Sequence, residues 1–390
     1  MNKIVGLVVT DSNSSTFKSK KPVEDHSILG QSVLHWSGSA LTEITGEVQS
    51  VQCSEIDRVK DLIGNSENFI LNWGDQPLIL ADTFRHLMEK HTSEGNDTTA
   101  IISCNGKASV YVFKSKNFLD RVNELSIQSF SKFNIAHIFQ SFQNKNKISS
   151  EDKTQFIVVD DRVALSTAMG EIKSAILKKI MLSGVTIMDP SSTFIDAGAV
   201  IGEDTVIMPN TIIEGNTVVG EGSIIGPSSR IVNCRIGNNV EVANSVAYDS
   251  SVGDETHVGP FAYLRPGSNV GKNVKVGDFV EIKKSVIGDR TKISHLTYVG
   301  DAEVGSNVNI GCGVVFVNYD GKNKNKTIVG DNSFIGCNVN LVSPVVVKND
   351  AYIAAGSTIT EEVPENSLAI ARQRQTIKQD WVTKKDLKRK

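Results

Sequence analysis

From Ile195 onward an aliphatic residue recurs every six positions: Ile195, Ile201, Ile207, Ile213, Val219, Ile225 and Ile231. The phase then slips, and four further runs follow. They are Val246, Val252, Val258, Leu264, Val270, Val276 and Ile282; Ile287, Ile293 and Val299; Val304, Ile310 and Phe316; and Val329, Ile335, Leu341, Val347, Ile353 and Ile359. Glycine often follows the aliphatic residue, as at Gly202, Gly220, Gly226, Gly237 and Gly336. A helix repeats every 3.6 residues and a strand every 2, so neither produces this spacing. Short strands joined by regular corners do. Each unit makes one side of a coil with its aliphatic residue inward, and Gly, Asn, Asp or Ser turns the corner. Coils then stack at strand spacing, about 4.7–4.9 Å. The pattern predicts a parallel β-helix of hexapeptide repeats from about Thr193 to Pro364.

Two departures frame the repeats. The stretch Asn318 to Thr327, NYDGKNKNKT, breaks the period and must leave the coil as a loop, a common place for binding residues. Ahead of the repeats, Leu165, Met169, Ile172, Ile176 and Ile180 mark one face of a helix from about Asp161 to Leu182, with Gly184 just beyond it. Residues 1–160 alternate apolar runs with helical patterns. Strands are expected at Ile4–Val9, Phe69–Asn72, Thr99–Ser103, Ser109–Phe113 and Gln155–Val159, and helices at Leu80–Glu94 and Phe118–Glu124. This alternation predicts a doubly wound α/β sheet. The tail KKDLKRK reads as a solvated charge run.

Length and composition narrow the function classes. A chain of 390 residues suggests two domains. The net charge of -3, with basic residues dispersed, gives no footprint for nucleic acid. The five cysteines, Cys53, Cys104, Cys234, Cys312 and Cys337, include no CxxC, so neither a disulfide framework nor a zinc ribbon is indicated and a reducing cytoplasm is expected. The opening MNKIVGLVV is too short for a signal sequence and reads as a first strand, and no stretch approaches the roughly 18 apolar residues of a membrane span.

The β-helix holds two histidines, His257 and His295. A catalytic zinc site takes three protein ligands, so this pair does not suggest one. His295 lies in KISHLTYVGDAEVG, close in sequence to Tyr298, Glu281, Lys283 and Arg265. Acyl transfer to an amine needs a base, and imidazole, with an ordinary pKa near 6.5, suits that role. A sugar phosphate needs cationic anchors, which Arg265, Lys283 and Lys324 could supply. The residues alone leave open that His295 is a hydrogen-bonded structural side chain and that the lysines form a solvated face.

These residues stand in IIEGNT, GPFAYLRPGS, VGDFVEIKKS, HLTYVGDAEVGSNVNIG, NYDGKNKNKT, IAAGSTIT and LAIARQRQ, between Gly184 and Gln375. This stretch closely resembles the acetyltransferase domain of the bifunctional N-acetylglucosamine-1-phosphate uridyltransferase/glucosamine-1-phosphate acetyltransferase (GlmU) family. The resemblance implies a left-handed β-helix, a homotrimer with sites between neighbouring chains, and acetyl transfer from acetyl-CoA to the amine of glucosamine 1-phosphate. The product feeds UDP-N-acetylglucosamine, a cell-wall and lipopolysaccharide precursor. His295 would match the base; Arg265, Lys283, Tyr298, Asn309 and Lys324 the amino-sugar-phosphate contacts; and Cys312, Asn318, Tyr319, Cys337, Ala355 and Arg372 the acetyl-CoA contacts. Cys312 and Cys337 stand where Ala or Ser is expected. The domains implied are 1–160, nucleotidyltransferase-like; 161–184, a connecting helix; 185–364, the β-helix; and 365–390, a C-terminal arm and tail.

The first half resembles the family's uridyltransferase domain in fragments: WGDQPLI, VVDDRVALSTAM and, faintly, SKKP with His26. Asp75 and Asp160 match its two metal-ligand positions, the second with Asp for an expected Asn, so Mg²⁺ is implied only if this domain is active. Other positions depart from the pattern. Ser12 and Ser14 replace glycines of the phosphate loop, Thr16 an arginine and Val23 a lysine, and a GTGHA-like stretch is missing. Side chains on those glycines crowd the approach to phosphate, and the lost cations remove charge compensation. Three readings follow: an acetyltransferase with a degenerate first domain, a bifunctional enzyme, or a non-catalytic scaffold or regulator.

Overall fold

The computed structural model describes residues 4–11, 16–103 and 108–387. The phosphate-loop positions Ser12 and Ser14 lie outside the described residues. Two units divide between Lys178 and Lys179.

In unit 1, β1 (Ile4–Thr10), β2 (Val48–Gln52), β3 (Asn68–Trp73), β4 (Thr98–Ile102), β5 (Ala108–Lys114) and β6 (Lys145–Ser149) form one sheet in the order β2-β1-β3-β5-β4-β6. Strand β5 runs antiparallel to both neighbours, while β1, β2 and β3 pair in parallel, as do β4 and β6. Helices α1 (Val33–Thr45), α2 (Ile56–Ile63), α3 (Ala81–Glu94), α4 (Ser115–Glu124) and α5 (Lys132–Ser141) supply the rest. Every residue of β3 is buried, as expected of a central strand covered on both sides. Leu7, Phe69 and Leu71 pack with Val59, Phe118 and Ile138. Their alternates Val8 and Ile70 pack with Leu41, Phe84 and Leu87. The period of two thus separates the side chains into two cores.

The strand expected at Gln155–Val159 is a correction: Thr154–Phe156 forms a 3₁₀ turn and no strand follows. Its polar groups are satisfied elsewhere. The Gln155 side chain accepts from Leu80 N at 3.1 Å, and Val159 N–H donates to Asp75 O at 2.8 Å. The sheet edge beside β4 goes instead to KNKIS, whose lysines suit an edge strand.

Helix α6 (Arg162–Leu182) spans the division between the units. Asp161 Oδ1 caps its start, accepting from Ala164 N at 2.7 Å, and Gly184 follows its end with φ +95°. Leu165, Ala168 and Ile172 pack with Phe17, Val23, Ile28 and Val159.

Unit 2 winds three parallel sheets of ten, nine and eleven strands. Each inward aliphatic residue contributes about 1.5–3 kcal/mol by leaving water. Two residues ahead of it stands a small side chain, often a buried Thr or Ser such as Thr205, Thr256 or Thr291. Its hydroxyl donates to a carbonyl of the next coil: Thr205 to Gly220 O and Thr256 to Gly271 O at 2.8 Å, Thr291 to Gly305 O at 2.7 Å. The corners adopt left-handed backbone, mostly at Asn or Asp, including Asp204, Asn210, Asn239, Asn273 and Asn307.

One assignment shifts. Ala247, 2% exposed, fills the inward column where Val246 was expected, and Val246 is half-buried outside it. Inward residues between Ile231 and Val252 are Ile236, Val242 and Ala247, so three of the four sides are one residue short. The loop from Asn318 leaves after the strand Val315–Val317, and Thr327–Val329 rejoins the stack in register with Ala302–Val304.

Candidate active site

Two strands break the two-residue rule of the eleven-strand face: Lys275–Asp278 and Lys292–His295 each run four residues, and Asp278 lies in register with His295. Gly277 makes this possible, because a Cβ there would stand 2.0 Å from Ser294 O. His295 Nδ1–H donates to Asp278 Oδ1. That bond holds the Asp278 carboxyl below its ordinary range. It also fixes the tautomer, leaving Nε2 with a lone pair. The imidazole is 55% exposed, outside the apolar interior.

Across the corner the ten-strand face begins, with Tyr263, Glu281 and Tyr298 in register as an outward row. Arg265 Nη1 donates to Glu281 at 2.7 Å. At the far end of the same strands, Lys283 Nζ lies 3.7 Å from Asp301, both largely buried. Asn318 Nδ2 joins them, donating to Asp301 Oδ2 and, at 3.3 Å, to the Tyr298 hydroxyl. His295 and this cationic edge therefore bound one face, about a three-residue strand or roughly 10 Å wide.

His295 also begins a ladder. Leu296 N–H donates to Asp278 O, Asn338 N–H to Cys312 O at 2.8 Å and Gly356 N–H to Cys337 O at 2.9 Å. Asp278, His295, Cys312, Cys337 and Ala355 each stand two residues past an inward residue of the eleven-strand face, and those inward residues pair coil to coil, so the five occupy equivalent places on successive coils. Cys312 is half-buried, while Cys337 and Ala355 are exposed. The neighbouring Gly311 and Gly336 admit no side chain, since a Cβ on either would lie 2.6 Å from backbone of the next coil. The Arg372 side chain flanks Gly356. In the loop, Lys324 Nζ stands 5.2 Å from the centre of the Tyr319 ring, and the Asp320 carboxyl, accepting from Asn323 N and Lys322 N, is held down to about 2.

The ladder and the ten-strand face gather most of the residues singled out in the sequence. Asn309 stands apart from them, in register with Lys292 and Phe334 on the eleven-strand face. Asp75 and Asp160 belong to unit 1, close to one another through the bond from Val159 N–H to Asp75 O. Asp160 lines a cavity of about 640 Å³ with Trp73, Gln76, Lys132 and Lys147. Asp75 forms an ion pair with Lys132, 2.5 Å away. Sequence reading missed Asp278, Asp301 and Lys132. The first two lie one coil from His295 and Lys283, a relation that only the local coil length reveals. No sequence pattern pointed to Lys132.

The family model for bacterial transferase hexapeptides (six repeats) matches residues 198–233 and 326–361. Bifunctional protein GlmU of Acetivibrio thermocellus is 44% identical over 457 aligned positions, covering 100% of this chain and 99% of the relative. The alignment exceeds the chain's 390 residues, so the relative carries residues that this chain lacks. Bifunctional protein GlmU of Caldanaerobacter subterraneus subsp. tengcongensis is 41% identical, covering 98% of each chain. Among solved structures, LpxA, a UDP-N-acetylglucosamine acyltransferase from Bacteroides fragilis, matches 48% of this chain and 71% of its own at 19% identity and TM-score 0.36. The 4-diphosphocytidyl-2C-methyl-D-erythritol synthase of Anaerococcus prevotii matches 44% of this chain and 99% of its own at 10% identity and TM-score 0.32.

Proposed function

The chain belongs to the GlmU family, and from that premise we propose that unit 2 transfers the acetyl group of acetyl-CoA to the amine of glucosamine 1-phosphate, with His295 as the base. The observation that carries this reading is the Asp278–His295 pair on an exposed corner, at the edge of a face that bears Arg265 and Lys283. The amine nitrogen attacks the thioester carbonyl and forms the C–N bond. Its proton passes to His295 Nε2, the C–S bond breaks, and the thiolate of CoA leaves and is protonated. Asp278 positions the ring and stabilises the imidazolium. Arg265, Lys283 and Lys324 offset the phosphate charge, while Tyr298 and Asn309 would contact the sugar. Cys312, Cys337, Ala355 and Arg372 follow one line away from the base, which suits an extended cosubstrate, with Asn318 and Tyr319 at the loop.

A homotrimer is part of this proposal. Leu296, next to His295, is 57% exposed and continues a column with Phe261 and Phe279, 57% and 56% exposed. A second chain covering that column would wall the site. Among the described residues no helix is long and apolar enough to cross a membrane, and a cytoplasmic location fits the proposed substrates. Uridyl transfer by unit 1 finds less support: Val23, at the expected lysine, is 7% exposed within an apolar cluster.

Purified protein given glucosamine 1-phosphate and acetyl-CoA is expected to release CoA thiol. With UTP, Mg²⁺ and N-acetylglucosamine 1-phosphate it is expected to release no pyrophosphate. His295→Ala should lower thiol release by roughly 10²–10⁴, and Asp278→Asn by less. Unchanged turnover in His295→Ala would remove the imidazole from its assigned role.

A further inference from the structure

We propose that the ammonium of Lys132 takes the place of a divalent cation at Asp75, so that unit 1 is built without a metal site there. The two aspartates assigned to a metal by family resemblance are close enough to raise the question, but the carboxylate of Asp75 does not fit the task. Its Oδ2 is held by Lys132 Nζ at 2.5 Å. Its Oδ1 is sealed from solvent with no hydrogen-bond partner. The orphaned oxygen points into protein, so it offers an entering hydrated ion no approach, and the other oxygen is taken.

Lys132 is fixed from several sides. It is the first residue of α5, whose start is capped by Ser131, the side chain accepting from Asn134 N at 3.2 Å. Its ammonium also lies 5.7 Å from the centre of the Trp73 ring. That ring is 2% exposed at the end of β3 and cannot swing away. Cation–π attraction and the ion pair therefore act on one charge together. An ammonium and a metal ion sharing one carboxylate oxygen would repel each other at close range, so one must leave. Among the described residues no group of three His, Cys, Asp or Glu side chains gathers to hold an ion instead. One built-in positive charge thus balances the Asp75 carboxylate.

The test uses Mn²⁺ as the probe and the full chain. Electron paramagnetic resonance of free Mn²⁺ is followed on titration with the unsubstituted protein, Lys132→Ala, Lys132→Gln, Asp75→Asn and the double variant Lys132→Ala/Asp75→Asn. The Lys132 side chain is 44% exposed, and far-ultraviolet dichroism with thiol release from acetyl-CoA checks folding. The unsubstituted protein is expected to bind no Mn²⁺ through Asp75. Each Lys132 variant should gain one Mn²⁺ per chain, bound at least about tenfold more tightly than any ion on the unsubstituted protein, and the double variant should lose it. Two results would overturn the proposal: Mn²⁺ bound by the unsubstituted protein and lost in Asp75→Asn, or no gain of binding on removing Lys132.

Discussion

An imidazole accepts a proton only at a nitrogen whose lone pair is free, so its partner decides what it can do. At His295 the partner is Asp278, one coil earlier and in register. The sequence displayed the histidine and the cations but not this partner. Asp278 is 17 positions upstream, and three full sides would place the neighbour at 18. A second histidine shows the opposite use of the ring. His91 is 2% exposed, with Nδ1 3.1 Å from Thr99 Oγ1 and Nε2 3.1 Å from Asn68 Oδ1. Burial, and after it the charge of Lys114, lowers its pKa to about 4, with Asp97 opposing. In the unfolded chain histidine titrates near 6.5. Between these values the unfolded state binds the extra proton, so stability is full above about 6.5 and is lost as pH falls toward about 4. Unit 1 is expected to lose roughly 2 kcal/mol between pH 7 and pH 5 from this group. Urea unfolding followed by Trp36 and Trp73 fluorescence checks it. The pH slope should shrink in His91→Asn, and an equal slope would show that other groups carry it.

At the scale of elements, the hexapeptide coil left a clear trace because one inward residue per side repeats with little variation. Phase was harder to read than period. Around Ala247 three shortened sides moved the register, and a valine beside the true inward position looked like the better candidate. In unit 1 an apolar run at Gln155–Val159 imitated a strand, while the real edge strand, KNKIS, is too polar to announce itself. Helices α1, α2 and α5 escaped notice: α2 has only eight residues, and α1 interrupts its apolar positions with Ser, Gly and Thr. Gly277 is the element-scale feature on which the site depends. In Gly277→Ala the methyl would meet the Ser294 carbonyl, forcing the two four-residue strands apart. Unit 2 is expected to lose at least about 2 kcal/mol and acetyl transfer to fall with it, measured by denaturation midpoint and thiol release. A variant with the parent's midpoint and rate would show that the close approach is dispensable.

For the whole molecule, the corner column Phe261, Phe279 and Leu296 stands out. Each has φ between +46° and +61°, where the other coils of this corner place Asn, Ser or Gly, as at Asn210, Ser228, Asn244, Gly313 and Asn338, and left-handed backbone costs such residues roughly 1–2 kcal/mol. The Phe261 and Phe279 rings stack with centres 5.4 Å apart, and all three side chains are more than half exposed. Burial against another copy would offset the strain. Phe279→Glu is therefore expected to convert a trimer to monomers in light scattering and to lower acetyl transfer. A variant that stays trimeric and fully active would move the interface elsewhere. Finally, each coil of unit 2 touches only the coils above and below it. In such a stack thermal opening starts at the termini and unzips inward, one layer at a time. Asp278 and His295 lie many layers from either extremity, so transient fraying there leaves the base and its partner undisturbed.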